Sequence, residues 1–84
     1  KPAVHTVPRR PVMTPDEAIH RLEQMVGTRL EWTALEAFLP DTQDGEFRRS
    51  ALASSFVAML ELARLGKVEF DQKETFSTLY VRAA

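Results

Sequence analysis

The stretch from residue 48 to residue 82 constrains the fold more than any other part of the chain, because it joins a long run of helical spacing to an alternating pattern. Apolar residues recur at three- and four-residue intervals up to residue 65, and Gly66 is of the type that commonly follows the last turn of a helix. We therefore expect a helix that begins near residues 44–47 and ends near residue 65.

The rest of this stretch predicts a β-hairpin. Val68 and Phe70 alternate with charged residues, as in a half-buried strand, and the polar segment 71–75 separates them from a second strand at 76–82. Because neighbouring side chains in a strand point to opposite faces, the hairpin cannot bury all of its apolar and aromatic residues on one side. We expect some aromatic surface to remain exposed.

The long helix is apolar on almost every side. We expect its core face to be formed by residues at helical spacing, namely Leu52, Phe56, Met59, Leu60 and Ala63. The outward side is expected to carry Ser50, Ser54, Ala58, Glu61 and Arg64, with the apolar belt widened by Val57, Leu62 and Leu65. Such a helix is either flanked by other elements of a small core or keeps one face for a protein partner.

Upstream, the sequence predicts two shorter helices and a brief strand. Residues 14–17 form a capping box with proline at the first helical position, which predicts a helix over residues 15–26. A second capping box at residues 33–36 predicts a short helix that ends at Pro40. Between the two helices, residues 29–32 alternate as in a short strand. The inward residues of the second helix are expected to be Leu35, Phe38 and Leu39.

Length and composition are those of one small folded domain. The 84 residues are 44% hydrophobic and 27% charged, with a net charge of −1, which is not the charge of a general polyanion binder. Residues 1–12 contain three prolines and are expected to form an extended arm or linker before a domain over residues 13–84. The sequence has no cysteine and no apolar run of membrane-spanning length. Because it begins with Lys1 rather than Met, we expect it to be part of a longer protein.

Catalytic and metal-binding interpretations have little support in the sequence. His20 has carboxylates one turn away on the first helix, but no second histidine or cysteine completes a metal site. The serines have no base at a recognisable spacing, and each of the three glycines falls at the end of an element rather than in a phosphate-binding loop. We expect no catalytic residue, metal ligand or cofactor, and a small hydrolase or metal protein is an alternative left to experiment.

The predicted order of elements is that of a winged-helix domain, an α+β fold with three helices, a short first strand and a C-terminal β-hairpin wing. The long helix would then occupy the position of a DNA-reading helix. DNA readers line that helix with polar groups that reach base edges, whereas here the only basic pair is Arg48 and Arg49, and Glu46 and Glu61 would face phosphates. The sequence favours a protein-docking function, and a DNA-binding winged-helix transcription regulator is the alternative.

The same residues resemble a known family. Residues 56–62, Phe-Val-Ala-Met-Leu-Glu-Leu, lead through Gly-Lys-Val to residues 70–76, Phe-Asp-Gln-Lys-Glu-Thr-Phe. This pattern is similar to the C-terminal winged-helix domain of bacterial kleisins, the segregation and condensation protein A family, and the similarity extends back to residues 12–19 and 32–36. The wing departs from the family's usual Gln-Glu-Glu-Pro-Phe-Gly-Asp-Ile pattern at Lys73, Thr75, Ser77, Thr78 and Leu79.

The resemblance implies a domain that docks on the cap face of the ATPase head of an SMC (structural maintenance of chromosomes) protein. Such a domain helps to close the SMC–kleisin ring in chromosome condensation and segregation. The positions that match the family's partner-binding motifs are Phe56, Val57, Leu60, Phe70, Phe76, Leu79 and Tyr80. Several of these residues also suit a core, Phe76 could instead fold back over the hairpin end, and Tyr80 could be part of a cross-strand pair.

The resemblance also implies the setting in which the domain acts. We expect a cytoplasmic, nucleoid-associated protein that contacts other subunits of the SMC complex through further parts of the full-length chain. We expect no specific nucleic acid contact and no membrane partner.

Overall fold

The computed structural model describes residues 12–84, in which helices lie on one side of a small sheet. The elements in chain order are α1 (Pro15–Val26), β1 (Thr33–Ala34), a 3₁₀ helix (Leu35–Phe38), α2 (Gly45–Arg64), β2 (Val68–Asp71) and β3 (Tyr80–Ala83). The sheet is antiparallel with the order β1-β3-β2, so the last strand lies at its centre. The α+β class and the winged-helix order are confirmed, but the described residues contain two α-helices rather than the three predicted helices.

The first predicted helix is confirmed at both ends. The Thr14 hydroxyl accepts a hydrogen bond from the Glu17 backbone N–H at 3.2 Å, and the Glu17 carboxylate accepts one from the Thr14 N–H at 3.2 Å. These two bonds satisfy N–H groups that the start of a helix leaves without a backbone partner. α1 then buries Ala18, Leu22 and Val26 in the core.

The second predicted capping box does not form, because Thr33 takes part in the sheet instead. Thr33 lies opposite Val81 in the β1–β3 pair, and its hydroxyl donates to the Glu31 carbonyl at 3.2 Å. The strand predicted at 29–32 is therefore displaced to Thr33–Ala34, and the predicted helix shortens to a four-residue 3₁₀ helix. The inward residues are nevertheless buried as expected, namely Leu35, Phe38 and Leu39.

The long helix, α2, begins and ends close to the predicted positions. The Asp44 carboxylate caps its start by accepting hydrogen bonds from the N–H groups of Glu46 and Phe47 at 3.0 and 3.2 Å. Gly66 follows its last turn with a φ of 77°, a left-handed conformation that glycine adopts without a steric penalty. The chain then turns directly into β2.

The buried face of α2 differs from the one that the sequence predicts, although Met59 is fully buried and Ala63 packs against the core as expected. Leu52, Phe56 and Leu60 are exposed instead of forming the core, whereas Ala58, predicted to face outward, is fully buried. The residues that α2 buries are Ala51, Ser55, Ala58, Met59 and Leu62. α2 contacts α1 more extensively than it contacts any other element, so this buried face lies in the core between the helices and the sheet.

The central strand β3 separates two faces of the sheet. Val81 is fully buried on the face toward the helices, and Phe70 lies opposite it on β2. On the outer face, Arg82 donates to the Glu69 carboxylate at 2.8 Å, and its guanidinium carbon lies 4.3 Å from the centre of the Trp32 ring. The predicted alternation is confirmed in this strand, although the strand begins later than predicted, at residue 80.

Before α1, the chain runs alongside α2. The Met13 N–H donates to the Ser50 hydroxyl at 3.3 Å, and the Ser54 hydroxyl donates to the Met13 carbonyl at 2.7 Å. Residues 1–11 of the predicted arm lie outside the described residues, so the predicted domain boundary remains a prediction. Within residues 12–84, no helix is both long and apolar enough to cross a bilayer.

Candidate protein-docking site

A row of large apolar side chains lies on the exposed side of α2. Leu52, Phe56 and Leu60 are spaced four residues apart, which places them on one face of the helix. Each of the three exposes 41% of its surface, and Val57 beside them is exposed as well. Single exposed apolar residues are ordinary in soluble proteins, but a contiguous row is characteristic of a surface that contacts a partner.

The row borders a groove between α2 and the loop that joins β2 to β3. The groove has a volume of about 570 Å³. α2 contributes Arg49, Leu52, Ala53 and Phe56; the loop contributes residues 76–79; and the 3₁₀ helix contributes Leu35 and Glu36. One helix face and one loop therefore present a shared, mostly apolar surface.

The loop at residues 72–79 contains a tight turn with an unusual residue in it. The Ser77 N–H donates to the Glu74 carbonyl at 3.1 Å, which closes a four-residue turn. Thr75, the second residue of the turn, does not have a positive φ, whereas Phe76, the third residue, has a φ of 66°. This combination is the pattern of a type II turn. Phe76 is 99% exposed, so the alternative in which it folds back over the hairpin end is wrong.

Side chains hold this turn in place. The Ser77 hydroxyl accepts a hydrogen bond from the Glu74 N–H at 3.1 Å and donates one to the Glu74 carbonyl at 2.6 Å. The Gln72 amide donates to the Ser77 carbonyl at 2.8 Å. The conformation at the tip is therefore fixed by Gln72, Glu74 and Ser77 rather than by packing of the Phe76 ring.

The predicted partner-binding residues fall on different surfaces. Phe56, Phe76 and Leu79 line the groove together, although Leu79 is half-buried and also packs against the core. Leu60 continues the α2 row beyond the groove, with Val57 at its side.

The other two predicted residues belong to the sheet. Phe70 and Tyr80 lie on opposite faces, because Phe70 shares a face with Val81 whereas Tyr80 is next to Val81 in β3. The backbone of Tyr80 is paired with that of Asp71 across β2 and β3, as the cross-strand alternative expects. The Tyr80 side chain remains partly exposed. Partner contact at any of the seven residues stays a prediction.

Residues that the sequence did not indicate as partner contacts also line the groove. Leu52 was expected in the core, while Ala53 and Arg49 were not singled out for this role. The four-residue spacing of Leu52, Phe56 and Leu60 was the available signal, but spacing alone does not tell a buried row from an exposed one. The packing of α1 against the other side of α2 makes that distinction.

Charged groups surround the apolar row without forming a single-sign field. The guanidinium groups of Arg48 and Arg49 form no hydrogen bond or ion pair with any residue in the described range 12–84. On the last turns of α2, Arg64 donates two hydrogen bonds to the Glu61 carboxylate. These bonds lower the pKa of Glu61 and raise that of Arg64; for Glu61, the attraction of the charges adds to the effect and partial loss of hydration opposes it.

The described residues also show what chemistry the site offers. Across positions 12–84, no group of three or more His, Cys, Asp or Glu side chains is placed to hold a metal ion. His20 is exposed on α1. The groove offers apolar side chains, one carboxylate, one guanidinium and the hydroxyls of Ser77 and Thr78, which suits contact with another macromolecule.

The fold is similar to that of a solved structure, described as a crystal structure of the SMC head bound to the C-terminal winged-helix domain of ScpA. The TM-score is 0.59 and the sequence identity 22%, and the match covers 83% of this chain and 99% of the matched chain. No family model matches this chain, and no curated protein matches it significantly. The structural match therefore agrees with the resemblance seen in the sequence, and what it establishes is a winged-helix fold.

Proposed function

We propose that this chain is a non-catalytic docking domain that binds the ATPase head of an SMC protein. The observation that carries the proposal is the exposed row of Leu52, Phe56 and Leu60 along α2, beside an apolar groove. The match to a winged-helix domain that was solved in complex with an SMC head supports the choice of partner. Contact with the cap face of the head, and closure of an SMC–kleisin ring in chromosome condensation and segregation, are parts of the same proposal.

The exposed row has enough uncovered surface to contribute to affinity. Complete burial of a Leu or Phe side chain is worth roughly 1.5–3 kcal/mol, so covering the exposed 41% of Leu52, Phe56 and Leu60 contributes about 1 kcal/mol for each residue. Covering Phe76, which is 99% exposed, contributes nearly the whole amount. Apolar anchors with a polar rim are the usual composition of a compact protein interface.

DNA binding fits this surface less well. A groove-reading helix presents hydrogen-bond donors and acceptors to base edges, whereas the exposed row on α2 is apolar. On the last turns of α2, the Glu61 carboxylate is paired with Arg64, so this part of the helix presents no excess of positive charge to phosphates. Arg48 and Arg49 are the basic groups available at the start of the helix.

The proposal includes the cellular setting. An SMC head is a cytoplasmic, nucleoid-associated partner, and the full-length protein would contact other subunits of the complex through segments beyond this domain. The ATPase chemistry would belong to the head, with this domain as a bound partner.

Binding of the 84-residue chain to SMC heads from its own source tests the proposal, with isothermal titration calorimetry and size-exclusion chromatography as measurements. We expect Phe56→Lys and Leu60→Lys each to weaken binding at least about tenfold, because each places a charge in an apolar contact. Leu30→Lys is a matched control, since Leu30 is an exposed leucine that lies outside the row and the groove. Normal head binding by folded Phe56→Lys and Leu60→Lys variants would contradict the proposed surface.

A separate experiment tests the DNA-binding alternative by measuring the affinity of the chain for duplex DNA. That alternative predicts salt-dependent duplex binding that Arg48→Glu combined with Arg49→Glu abolishes. Such binding, found together with no affinity for any SMC head, would replace docking by DNA recognition.

A further inference from the structure

The wing tip carries a residue that its backbone position disfavours. Phe76 occupies the third position of a type II turn, which requires a positive φ and is usually taken by Gly or Asn. A side chain with a Cβ in this left-handed region is strained, and a bulky residue there is a true outlier. Such outliers persist where the surrounding structure enforces them, and they cluster at functional sites.

The Phe76 ring contributes no core packing to the isolated domain. It is 99% exposed and is not one of the residues that form or pack against the hydrophobic core. The exposed ring also presents a large apolar area to water when no partner covers it. Its position therefore makes physical sense when another surface covers it.

The turn around Phe76 is built independently of the ring. Ser77 makes both a donor and an acceptor side-chain hydrogen bond to the Glu74 backbone, and Gln72 bonds to the Ser77 carbonyl. These contacts fix the backbone before any partner arrives. A loop ordered in advance loses less conformational entropy on binding, and this raises affinity.

We infer that the wing is a preorganised mount that presents Phe76 as an anchor to an apolar pocket on the docking partner, with Ser77 as the positioning residue. The inference rests on the proposed function, which takes that partner to be an SMC head. Phe76 and Phe56 line the same groove, so the anchor and the α2 row would contact one continuous surface of the head. The proposal differs from an apolar patch in general because it assigns to Ser77, which also lines the groove, the separate role of holding the turn that carries Phe76.

Four variants of the 84-residue chain test the assignment by their affinity for the SMC head: Phe76→Ala, Ser77→Ala, Ser77→Thr and the double variant Phe76→Ala/Ser77→Ala. Phe76→Ala is expected to weaken binding by about 30-fold or more, as for a central aromatic anchor. Ser77→Ala is expected to weaken binding by roughly three- to tenfold, the range for loss of a hydrogen bond. Ser77→Thr keeps the hydroxyl and should bind like the unmodified chain.

The double variant gives a readout that a merely structural serine would not change. If Ser77 acts through Phe76, Ser77→Ala should have no further effect once the ring is removed. An equal loss from Ser77→Ala in both backgrounds would overturn the positioning role. Phe76→Ala with unchanged affinity, while Phe56→Lys still weakens binding at least about tenfold, would overturn the anchor and leave the proposed function standing. No binding of the unmodified chain to any head would overturn both.

Discussion

Replacement of Phe76 by glycine should make the isolated domain more stable, although it removes an aromatic side chain. Phe76 has a φ of 66°, where a residue with a Cβ is strained by roughly 1–2 kcal/mol and glycine is not. Because the ring is 99% exposed, its removal gives up almost no burial. Glycine adds backbone freedom to the unfolded chain, which offsets roughly 0.5–1 kcal/mol of the gain.

The difference leaves a net stabilisation centred on about 0.75 kcal/mol for Phe76→Gly, within a range of about 0 to 1.5 kcal/mol. In a domain of this size, the central value corresponds to a rise in melting temperature of roughly 3–6 °C. Urea denaturation and thermal unfolding, both followed by circular dichroism, measure the change directly. The same variant should lose affinity for the SMC head to the same extent as Phe76→Ala, so stability and binding should move in opposite directions.

Two control variants isolate the backbone effect. Phe76→Ala removes the ring but keeps the Cβ, so its stability should remain close to that of the unmodified chain. Thr75→Gly places glycine at the neighbouring turn position, where φ is not positive, and should destabilise the domain by roughly 0.5–1 kcal/mol. If Phe76→Gly unfolds at or below the midpoint of Phe76→Ala, the strain at the wing tip does not exist and the reasoning fails.

Two further predictions concern α2. Leu62→Ala should destabilise the domain by roughly 2–5 kcal/mol because Leu62 is 1% exposed, whereas Leu60→Ala should cost roughly 1–2 kcal/mol because 41% of Leu60 is already exposed; equal losses in urea denaturation would restore the face predicted from the sequence. Arg64→Gln should raise the pKa of Glu61 towards its ordinary value, as measured by NMR titration. An unchanged Glu61 titration in this variant would refute the pairing. Because the pKa of Glu61 is lower in the folded state, the pair stabilises the domain at pH values above the unfolded pKa, and this contribution is lost as the pH falls through the folded pKa.

Local signals in the sequence predicted local structure well. The capping box at Thr14 and Glu17 defines α1 because all its bonds form within four residues. A similar box at Thr33 failed, because pairing with Val81 in the sheet claims the same backbone. Local chemistry therefore decides an element only where no distant strand competes for its hydrogen bonds.

The faces of α2 could not be predicted in the same way. Apolar residues surround this helix, so helical spacing is compatible with several core faces, and the largest side chains were assigned inward. The structure instead buries three small residues, Ala51, Ser55 and Ala58, together with Met59 and Leu62, on the side of α2 that packs in the core. Phe76 shows a second limit, since a positive φ at a residue other than glycine depends on its hydrogen-bonded surroundings.

Trp32 is the one tryptophan of the chain, and its place beneath Arg82 makes it a natural fluorescent reporter. It lies on the outer face of the sheet, opposite to the face that packs against the helices. Unfolding separates the ring from the guanidinium and should change its emission. A partner confined to the α2 row and the groove would leave that environment intact, whereas a partner that also contacts Tyr80, on the same sheet face as Arg82, would alter it. The emission of Trp32 in the folded domain therefore reports whether a bound partner reaches the outer face of the sheet.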